Sequence, residues 1–324
     1  MTLRFSVAMA TSFDTPEHVV HAERLGFSRA WLYDSPALYP DVWVTLADCA
    51  RRTERIGLGP GVLVPSLRHP MTNAAAIAHL AHLAPGRLAV GIGSGFTGRL
   101  TLGQRPLKWS FVRDYIVCLK ALLAGETVTW EGGAVRMMHP TGFAPARPVE
   151  VPFIIGASGP KGRAVAHEVG DGVFGVGPEA GFDWSCLLQF GTVLDDGEDP
   201  GSERVMEAAG HGAAVAVHAM YDGGVDMSMF SGGAEWTASI EQIPAAERHL
   251  ALHDLHLIGL NERDRLIVNG DFITMMGSAR TRQQWHDHLA AVEAGGTTEL
   301  VYQPAGARLV EEMERFAEMV SLTA

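Results

Sequence analysis

The first third of the chain repeats one pattern, in which a short apolar run is followed by a turn and then by a helical periodicity. Short runs of aliphatic and aromatic residues predict strands, and apolar residues at helical spacing predict helices. The predicted strands of this part are Leu3–Met9, Arg29–Tyr33, Ile56–Leu58 and Arg87–Ile92. The helices predicted between them are one from Asp14 to Gly26, Val44–Arg52 and Pro70–Leu83. Such alternation predicts a parallel sheet, either closed or doubly wound.

The pattern continues to the end of the chain with one interruption. Further predicted strands are Val151–Ile155, Gly172–Val176, Ala213–Ala219 and Glu299–Tyr302. Further predicted helices are Pro106–Leu123, Thr281–Ala294 and Ala307–Val320, with a hairpin around Val128–Val135. Residues 221–277 lack the alternation and are interpreted as an insertion, partly helical around Pro244–Leu257. Eight strands in 324 residues favour a single (β/α)8 TIM barrel domain over residues 1–324, with an insertion after the seventh strand.

Three glycine-rich loops follow predicted strands and suggest one bound cofactor. They are Gly59-Pro60-Gly61-Val62, Gly91-Ile92-Gly93-Ser94-Gly95-Phe96-Thr97-Gly98 and Gly156-Ala157-Ser158-Gly159-Pro160-Lys161-Gly162. Glycine lets the backbone turn sharply and approach a ligand closely, and successive free N–H groups bind anions. In a barrel, such loops meet at the C-terminal mouth, where ligand sites are built. A phosphorylated cofactor held by several strand–helix units is therefore expected.

The second loop also matches the dinucleotide-binding pattern in form, as Gly93-x-Gly95-x-x-Gly98. That pattern belongs to the opening turn of a Rossmann domain and is followed by an acidic residue about twenty residues on. Here three strand–helix units precede it, and the region beyond it is basic. The barrel is the better interpretation of this loop.

The third loop precedes a predicted helix, so its N–H groups, the helix dipole and Ser158 suit a phosphate. An ordinary turn with a serine cap is the alternative, and Lys161 is more typical of a solvated surface lysine. Asp34-Ser35 follows the second strand, where the carboxylate could accept a hydrogen bond from a cofactor or could form a turn.

Composition and charge exclude several classes of protein. Nearly half the residues are apolar, which allows a large core, and the net charge of -12 argues against a general nucleic-acid binder. No basic segment followed by an apolar stretch marks a signal peptide at the start, and the longest apolar region, Ala74–Leu83, is too short to cross a bilayer. The three cysteines show no metal or disulfide spacing. A soluble, cytoplasmic protein without a metal site is expected.

Basic and histidine residues offer weaker candidates. Arg99, Arg105, Lys108 and Arg113 could attract an acidic cofactor tail or form a solvated helix face. His249, His253 and His256 share a helical face but lack a metal-binding motif, so a structural role is favoured. His69 follows the third strand and is a candidate proton donor. A set of large apolar residues in and before the insertion suits a core or a lid: Trp184, Met220, Met227, Met229, Phe230 and Trp236.

Several ordered motifs resemble the bacterial luciferase-like superfamily. They are Gly59-Pro60-Gly61-Val62-Leu63-Val64-Pro65-x-x-Arg68-His69-Pro70, Gly91-Ile92-Gly93-Ser94-Gly95, Ile155-Gly156-Ala157-Ser158-Gly159-Pro160-Lys161, Gly170-Asp171-Gly172 and Thr297-Thr298-Glu299-Leu300-Val301. Within it, the chain is most similar to the deazaflavin (coenzyme F420) branch typified by methylenetetrahydromethanopterin reductase. The resemblance covers the chain except about residues 178–280.

The resemblance implies a TIM barrel that binds F420 or FMN at its C-terminal mouth and forms a homodimer through helices near the second and third strands. It implies a cis peptide at Gly61–Val62 behind the ring, Asp34 and Ser94 at the ring edge, the phosphate at Ala157–Gly159 and Val176 near the tail. The cofactor-binding residues expected on this basis are Asp34, Gly61, Val62, Ser94, Gly95, Gly156, Ala157, Ser158, Gly159 and Val176.

Two positions depart from the family pattern. Ser35 stands where an Asp-His pair would place a histidine acid/base, and Phe96 stands where sugar-phosphate dehydrogenases of the branch carry a glutamate. Oxidation of glucose 6-phosphate is therefore not expected. The catalytic candidates are Asp34, Ser35 acting through water, and His69.

The main hypothesis is an oxidoreductase that moves a hydride between F420 and an apolar or conjugated organic small molecule. The alternative is an FMN-dependent two-component monooxygenase that uses a separate reductase. A third hypothesis is a non-catalytic flavin-binding protein that retains the barrel.

Overall fold

The computed structural model describes residues 3–322 of the chain. The predicted domain includes Met1, Thr2, Thr323 and Ala324, which lie outside the described residues. Met1 and Thr2 also begin the segment in which no signal peptide is expected. The chain divides into two compact units. The first comprises the residues up to Leu188 together with Glu293–Val301, and the second comprises Gln189–Val292 and the residues from Tyr302 onward. The single domain stays a prediction.

The chain alternates between strands and helices through its first two thirds. The elements up to the long helix are β1 (Arg4–Met9), α1 (Thr15–Arg24), β2 (Arg29–Leu32), α2 (Val42–Arg52), β3 (Gly57–Pro60), α3 (Pro70–Leu83), β4 (Val90–Gly93), α4 (Phe96–Leu100) and α5 (Trp109–Ala124). The next are β5 (Val128–Trp130), β6 (Gly133–Val135), β7 (Phe153–Gly156), α6 (Pro160–Val169), β8 (Gly172–Gly175) and β9 (Ser185–Phe190). Strands β5 and β6 form the predicted antiparallel hairpin.

The last third is mainly helical. Its elements are β10 (Thr192–Val193), α7 (Glu203–Asp222), α8 (Gly233–Glu241), α9 (Arg248–Ala251), α10 (Gly270–Met275), β11 (Ala279–Arg280), α11 (Arg282–Ala294), β12 (Glu299–Gln303) and α12 (Leu309–Met319). Short 3-10 turns lie at Pro65–Leu67, Met227–Met229 and Asp264–Leu266. No described helix is both long and apolar enough to cross a membrane.

Eight strands form one sheet in the order β3-β2-β1-β12-β9-β8-β7-β4. Parallel bridges from Leu58 to Leu88 and from Leu63 to Ile92 bring the two ends of this order together. The strands are parallel, nearly close into a barrel and are followed by helices, so the predicted (β/α)8 TIM barrel is confirmed. Residues 191–298 separate the seventh barrel strand, β9, from the eighth, β12.

The predicted seventh strand, Ala213–Ala219, was wrong. These residues lie inside α7, and the seventh barrel strand is Ser185–Phe190. A short run of alanine and valine does not distinguish a buried helix from a strand, and length decides between them. Here the helix begins at the Ser202 cap, whose hydroxyl accepts from the Val205 N–H, and continues for 20 residues.

The observed limits of the other helices and strands agree closely with the predicted limits, except in the insertion. Helix α3 has the predicted limits, and α11 and α12 begin and end within two residues of theirs. The helical segment expected around Pro244–Leu257 contains only the four residues of α9.

A buried carboxylate joins four neighbouring strands of the barrel. Glu299, the first residue of β12, is 1% exposed. Its Oε1 accepts hydrogen bonds from Ser6 Oγ at 2.7 Å and Trp31 Nε1 at 2.9 Å. Its Oε2 accepts from Trp184 Nε1 at 2.8 Å and lies 3.6 Å from an Arg4 guanidinium nitrogen. The donors come from β1, β2 and the residue before β9, so this side chain fixes β12 between its neighbours.

We expect Glu299→Ala to lower the free energy of unfolding by about 3–5 kcal/mol, because the buried donors of Ser6 and Trp31 and the half-buried donor of Trp184 lose their acceptor. Denaturant unfolding of the first unit, followed by tryptophan fluorescence, measures the loss. Glu293→Ala, at an exposed glutamate of the same unit, is the matched control and should change stability by less than about 0.5 kcal/mol. Equal small effects of both variants would contradict the role of Glu299.

The second unit buries several histidines in an apolar core. His211 is 1% exposed, and its Nε2 lies 2.9 Å from Gln303 Oε1. The Gln303 amide donates to the Leu257 carbonyl, so its oxygen faces His211 and the imidazole donates through Nε2. Burial lowers the pKa of His211 to about 4, and burial together with neighbouring histidines lowers the pKa of His256 to about 3.

These pKa values predict that acid destabilises the second unit. The unfolded chain takes up protons near pH 6.5, whereas the folded chain does so only near pH 4, so stability is present above pH 6.5 and is lost as the pH falls towards 4. His211 alone should account for roughly 3 kcal/mol of that loss. Unfolding by urea between pH 4.5 and 7.5 measures it. We expect His211→Gln to reduce the slope with pH, while His286→Gln at an exposed site of α11 leaves it unchanged.

Candidate functional site

The three glycine-rich loops lie together at the carboxyl ends of barrel strands. They follow β3, β4 and β7, and the last residues of the latter two strands, Gly93 and Gly156, are paired across the sheet. The carboxyl ends of parallel strands share one edge of the sheet, which is here called the barrel mouth. The structure thus brings together three loops that are spread between Gly59 and Gly162 in the sequence.

Val62 occupies the point where these loops converge. A Cβ atom added at Gly91, Gly93 or Gly156 would lie 3.0, 3.1 or 3.1 Å from a Val62 methyl carbon. At Gly91 it would also lie 2.6 Å from the Pro60 carbonyl oxygen. A side chain at Gly91 would clash with the backbone, and one at Gly93 or Gly156 would need Val62 to move by a few tenths of an ångström, so glycine favours the close approach of the strands around Val62. Val62 itself is half-buried, and the Gly61–Val62 peptide is cis, as the resemblance implied.

Asp34 follows β2 and is held by a buried ion pair. Its side chain is 1% exposed, and Arg68 donates from one guanidinium nitrogen to both carboxylate oxygens at 2.8 Å. The Val64 N–H donates to Oδ2 at 3.2 Å. Burial raises the pKa of Asp34 above its ordinary value, and the charge and hydrogen bonds of Arg68 offset only part of that rise. Asp34 is thus a buried carboxylate, and each of its side-chain hydrogen bonds is donated by an N–H group.

Arg68 has a second carboxylate partner. Its other terminal nitrogen donates to Asp41 Oδ2 at 2.7 Å. The other oxygen of Asp41 caps α2 by accepting from the Trp43 and Val44 N–H groups. Burial raises the pKa of Asp41, but the Arg68 hydrogen bond and charge and the two N–H groups outweigh it, so the pKa is lowered. Arg68 therefore ties the loop after β3 to the end of β2 and the start of α2.

Ser35 is buried next to the loop that follows β4. A Cβ atom at Gly98 would lie 2.9 Å from the Asp34 carbonyl oxygen, 3.0 Å from a Val64 methyl and 3.7 Å from Ser35 Oγ. The Ser35 carbonyl accepts from the Leu38 and Tyr39 N–H groups. Close packing thus places the predicted Asp34-Ser35 pair against the loops after β3 and β4.

His69, the other catalytic candidate, caps α3. Its Nδ1 accepts from the Met71 N–H at 3.1 Å, so in the neutral imidazole the proton is on Nε2. The ring is exposed and lies edge-on to Trp130 of the hairpin, with 6.4 Å between ring centroids. The exposed ring can donate a hydrogen bond to a ligand through Nε2–H, while Nδ1 is committed to the helix.

The loop after β7 leads into an open helix start. Gly159 is the N-cap of α6 and provides no side-chain cap, while Ser158 and Gly159 are exposed. A Cβ atom at Gly159 would meet no atom within 4 Å. By contrast, one at Gly162 would lie 2.6 Å from the Trp109 ring and 2.7 Å from Ala157 Cβ, so this turn packs tightly against α5. The helix start combines free space with a positive dipole, which suits an anion.

Three apolar side chains that follow barrel strands are exposed at the barrel mouth. Phe13, Phe96 and Val176 follow β1, β4 and β8 and are 95%, 56% and 70% exposed. Ser94, next to Phe96, is half-buried, and its carbonyl accepts from the Leu107 N–H; Gly95 after it has a positive φ of 81°. The three apolar side chains place apolar surface at the edge where the glycine loops converge.

Two of the four basic residues predicted as a stretch beyond β4 make local contacts. Arg99 donates to Ser66 Oγ and to the Arg105 carbonyl, both at 2.6 Å, and so links the loops after β3 and β4. Arg113 pairs with the adjacent Asp114. Arg68 is the site residue that the sequence interpretation did not assign, and a buried aspartate in need of a cation next to His69 is the signal that points to it. Within residues 3–322, no group of three or more His, Cys, Asp or Glu could hold a metal ion.

Comparisons with known proteins agree with this geometry. Residues 8–185 match the family model described as luciferase-like monooxygenase. The F420-dependent glucose-6-phosphate dehydrogenase of Beutenbergia cavernae is 36% identical over 181 residues, which cover 49% of this chain and 51% of that protein. The 5,10-methylenetetrahydromethanopterin reductase of Methanolobus tindarius is 33% identical over 161 residues, 47% of this chain and 46% of that protein. The chain spans about half the length of the curated relatives it matches.

Among solved structures, the coenzyme F420-dependent tetrahydromethanopterin reductase of Methanopyrus kandleri superposes with a TM-score of 0.66 over 98% of both chains. The two chains are 18% identical, so this likeness concerns the fold.

Proposed function

Because the chain belongs to the luciferase-like monooxygenase family, we propose that it is an oxidoreductase that transfers a hydride between coenzyme F420 and an apolar or conjugated organic substrate. The observation that carries the proposal is the convergence of three glycine-rich loops on Val62 beside the open start of α6. The relatives named for F420 dependence support the choice of cofactor. Bound F420 would supply the hydride chemistry, so the protein needs no nucleophile of its own.

The phosphate end of the cofactor fits the start of α6. The N-cap Gly159 leaves the first N–H groups of the helix without a side-chain acceptor, and the space above it is open. Ser158 is exposed and can add a hydroxyl donor. We assign Gly156, Ala157, Ser158 and Gly159 to this end, with Val176 towards the tail.

The ring end fits the glycine-lined region around Val62. Gly61, Val62 and Gly95 would contact the ring, because the glycines leave backbone and one half-buried methyl group facing the mouth. Asp34 would accept a hydrogen bond from the ring edge, and Ser94 would donate or accept one. The protein would thus orient the reactive carbon and exclude water from it.

Exposed apolar side chains indicate the substrate class. Phe13 and Phe96 expose aromatic surface after β1 and β4, at the barrel mouth. A sugar phosphate would require charged or hydrogen-bonding partners, and Phe96 stands where the resemblance expects the glutamate of sugar-phosphate dehydrogenases. An apolar or conjugated alcohol, carbonyl compound or alkene suits this surface. Ser35 through water and His69 through Nε2 are the candidate proton donors.

A homodimer in the cytoplasm is part of the proposal. Val44 on α2 is 72% exposed, on the helix that follows the second barrel strand, where the resemblance expects the dimer contact. The three cysteines are free and buried, which suits a reducing compartment.

Titration of the apo-protein with F420 and, separately, with FMN tests the cofactor. We expect F420 to bind at least about tenfold more tightly, as followed by fluorescence. Preference for FMN would contradict the proposal and favour the two-component monooxygenase with a separate reductase. Tight F420 binding without turnover of a panel of alcohols, ketones and enals would favour the non-catalytic hypothesis. Binding of neither cofactor would show that the glycine loops hold another ligand.

The start of α6 yields a variant with opposite effects on stability and binding. We expect Gly159→Asp to raise the free energy of unfolding by a few tenths of a kcal/mol, since aspartate is a better N-cap and has room for its side chain. The same carboxylate should weaken F420 binding by about tenfold or more, because it occupies the N–H groups and repels the phosphate. Thermal melting and fluorescence titration measure the two effects.

Ala164→Asp is the matched control for charge. It adds a carboxylate at an exposed position of the same helix, beyond the first turn, so F420 affinity should change by less than about twofold. If Gly159→Asp binds F420 as the wild type does, the phosphate does not lie at this helix.

A further inference from the structure

Arg68 is the cation that faces the buried carboxylate at the ring end of the candidate site. Its side chain is 12% exposed and bridges Asp34 and Asp41. Both Asp34 oxygens receive a hydrogen bond from the same guanidinium nitrogen at 2.8 Å, and Asp34 Oδ2 receives a second one from the Val64 N–H. Every polar contact that the structure gives Asp34 is therefore a donor, which suits an ionised, acceptor-only carboxylate.

The backbone of Arg68 is held by a chain of buried and partly buried hydrogen bonds. Its carbonyl accepts from the Tyr115 hydroxyl at 2.9 Å. Asn73 donates to that hydroxyl at 2.7 Å and accepts from Trp43 Nε1 at 2.9 Å. These side chains come from α5, α3 and α2, so three helices fix the position from which Arg68 reaches Asp34.

Arg68, Asp41 and Tyr115 are titratable groups that interact with Asp34. Arg68 stabilises its ionised form, whereas Asp41 on α2 opposes it. Tyr115 on α5 is a further titratable neighbour, and burial raises its pKa well above the usual range of a tyrosine, so it stays neutral. A carboxylate as buried as Asp34 takes up a proton readily when its cation is removed. Protonation would turn one of its acceptor oxygens into a donor.

We propose that Arg68 is a positioning residue that keeps Asp34 ionised, so that Asp34 serves as a hydrogen-bond acceptor for the cofactor ring. The identity of the ring rests on the proposed function. Asp41 holds the far side of the guanidinium, and the Tyr115–Asn73–Trp43 chain fixes its backbone. Arg68 touches no reacting group in this scheme and acts through Asp34 alone.

The first test measures Asp34 in the apo-protein, without any cofactor. Carboxyl carbon NMR of aspartate-labelled protein, assigned with Asp34→Asn, follows the ionisation of Asp34 between pH 5 and 9. We expect Asp34 to be ionised at pH 7 in the wild type and to titrate at a clearly higher pH in Arg68→Gln. A wild-type Asp34 that is protonated at pH 7, or an Arg68→Gln variant with unchanged titration, would overturn the proposal. If Arg68→Gln does not fold, a wild-type Asp34 that is protonated at pH 7 would still overturn the proposal, and Arg68→Lys, which keeps the cation, should leave the titration unchanged.

The second test is the pH profile of F420 binding. We expect wild-type affinity to vary by less than about twofold between pH 6 and 8, and Arg68→Gln to lose about tenfold in affinity as the pH falls across that range. Arg68→Lys keeps a cation and should restore a flat profile. Arg68→Gln combined with Asp34→Asn removes the titrating group and should also be flat, though weak. If the role of Arg68 were only structural, Arg68→Gln would weaken F420 binding equally at every pH.

Arg52→Gln is the matched control. Arg52 pairs with Asp48 and Glu17 on the surface of the same unit, so its removal should leave the pH profile unchanged. Wild-type protein that binds no F420 would contradict the proposed function, while the NMR titration would still decide the role of Arg68. Wild-type protein that binds F420, with a flat profile in Arg68→Gln, would overturn this inference alone.

Discussion

The barrel depends on how its last strand is inserted between strands from the other end of the chain. β12 lies between β1 and β9, and Glu299 satisfies the hydroxyl of Ser6 and the indole N–H groups of Trp31 and Trp184. Desolvating a carboxylate is costly, and only a full set of donors offsets that cost. The same requirement favours a single register, because a shift of β12 by one residue would point Glu299 to the other face of the sheet.

Closure of the sheet determines what can be built at the opposite ends of the strands. Bridges between the β3 and β4 regions bring the glycine loops close together around Val62. A side chain at Gly91 would clash with the Pro60 carbonyl oxygen, and one at Gly93 or Gly156 would press on the Val62 methyl groups. The open start of α6 follows from the same strand pairing, because β7 lies directly beside β4. Backbone atoms therefore form much of the candidate site, and side chains contribute a few polar groups and an apolar edge.

Two buried carboxylates of the barrel illustrate different uses of charge. Glu299 accepts hydrogen bonds from three neutral donors and lies 3.6 Å from one guanidinium nitrogen of the half-exposed Arg4, an arrangement that serves the fold. Asp34 is paired directly with Arg68 at the barrel mouth, where burial raises its pKa and the cation counteracts the rise. A carboxylate balanced in this way is more sensitive to its partner than one held by several neutral donors, which suits a position that contacts a ligand.

The sequence by itself determined the fold class, seven of the eight barrel strands and the three glycine-rich loops, because strand–helix alternation and glycine in tight turns are local signals. It misplaced the seventh strand at Ala213–Ala219, since a short apolar run fits a buried helix equally well and only packing decides. It pointed to Asp34 and His69 but not to the Arg68–Asp34–Asp41 arrangement or the capping role of His69. Those depend on which side chains meet when distant loops converge, and only the tertiary structure decides that.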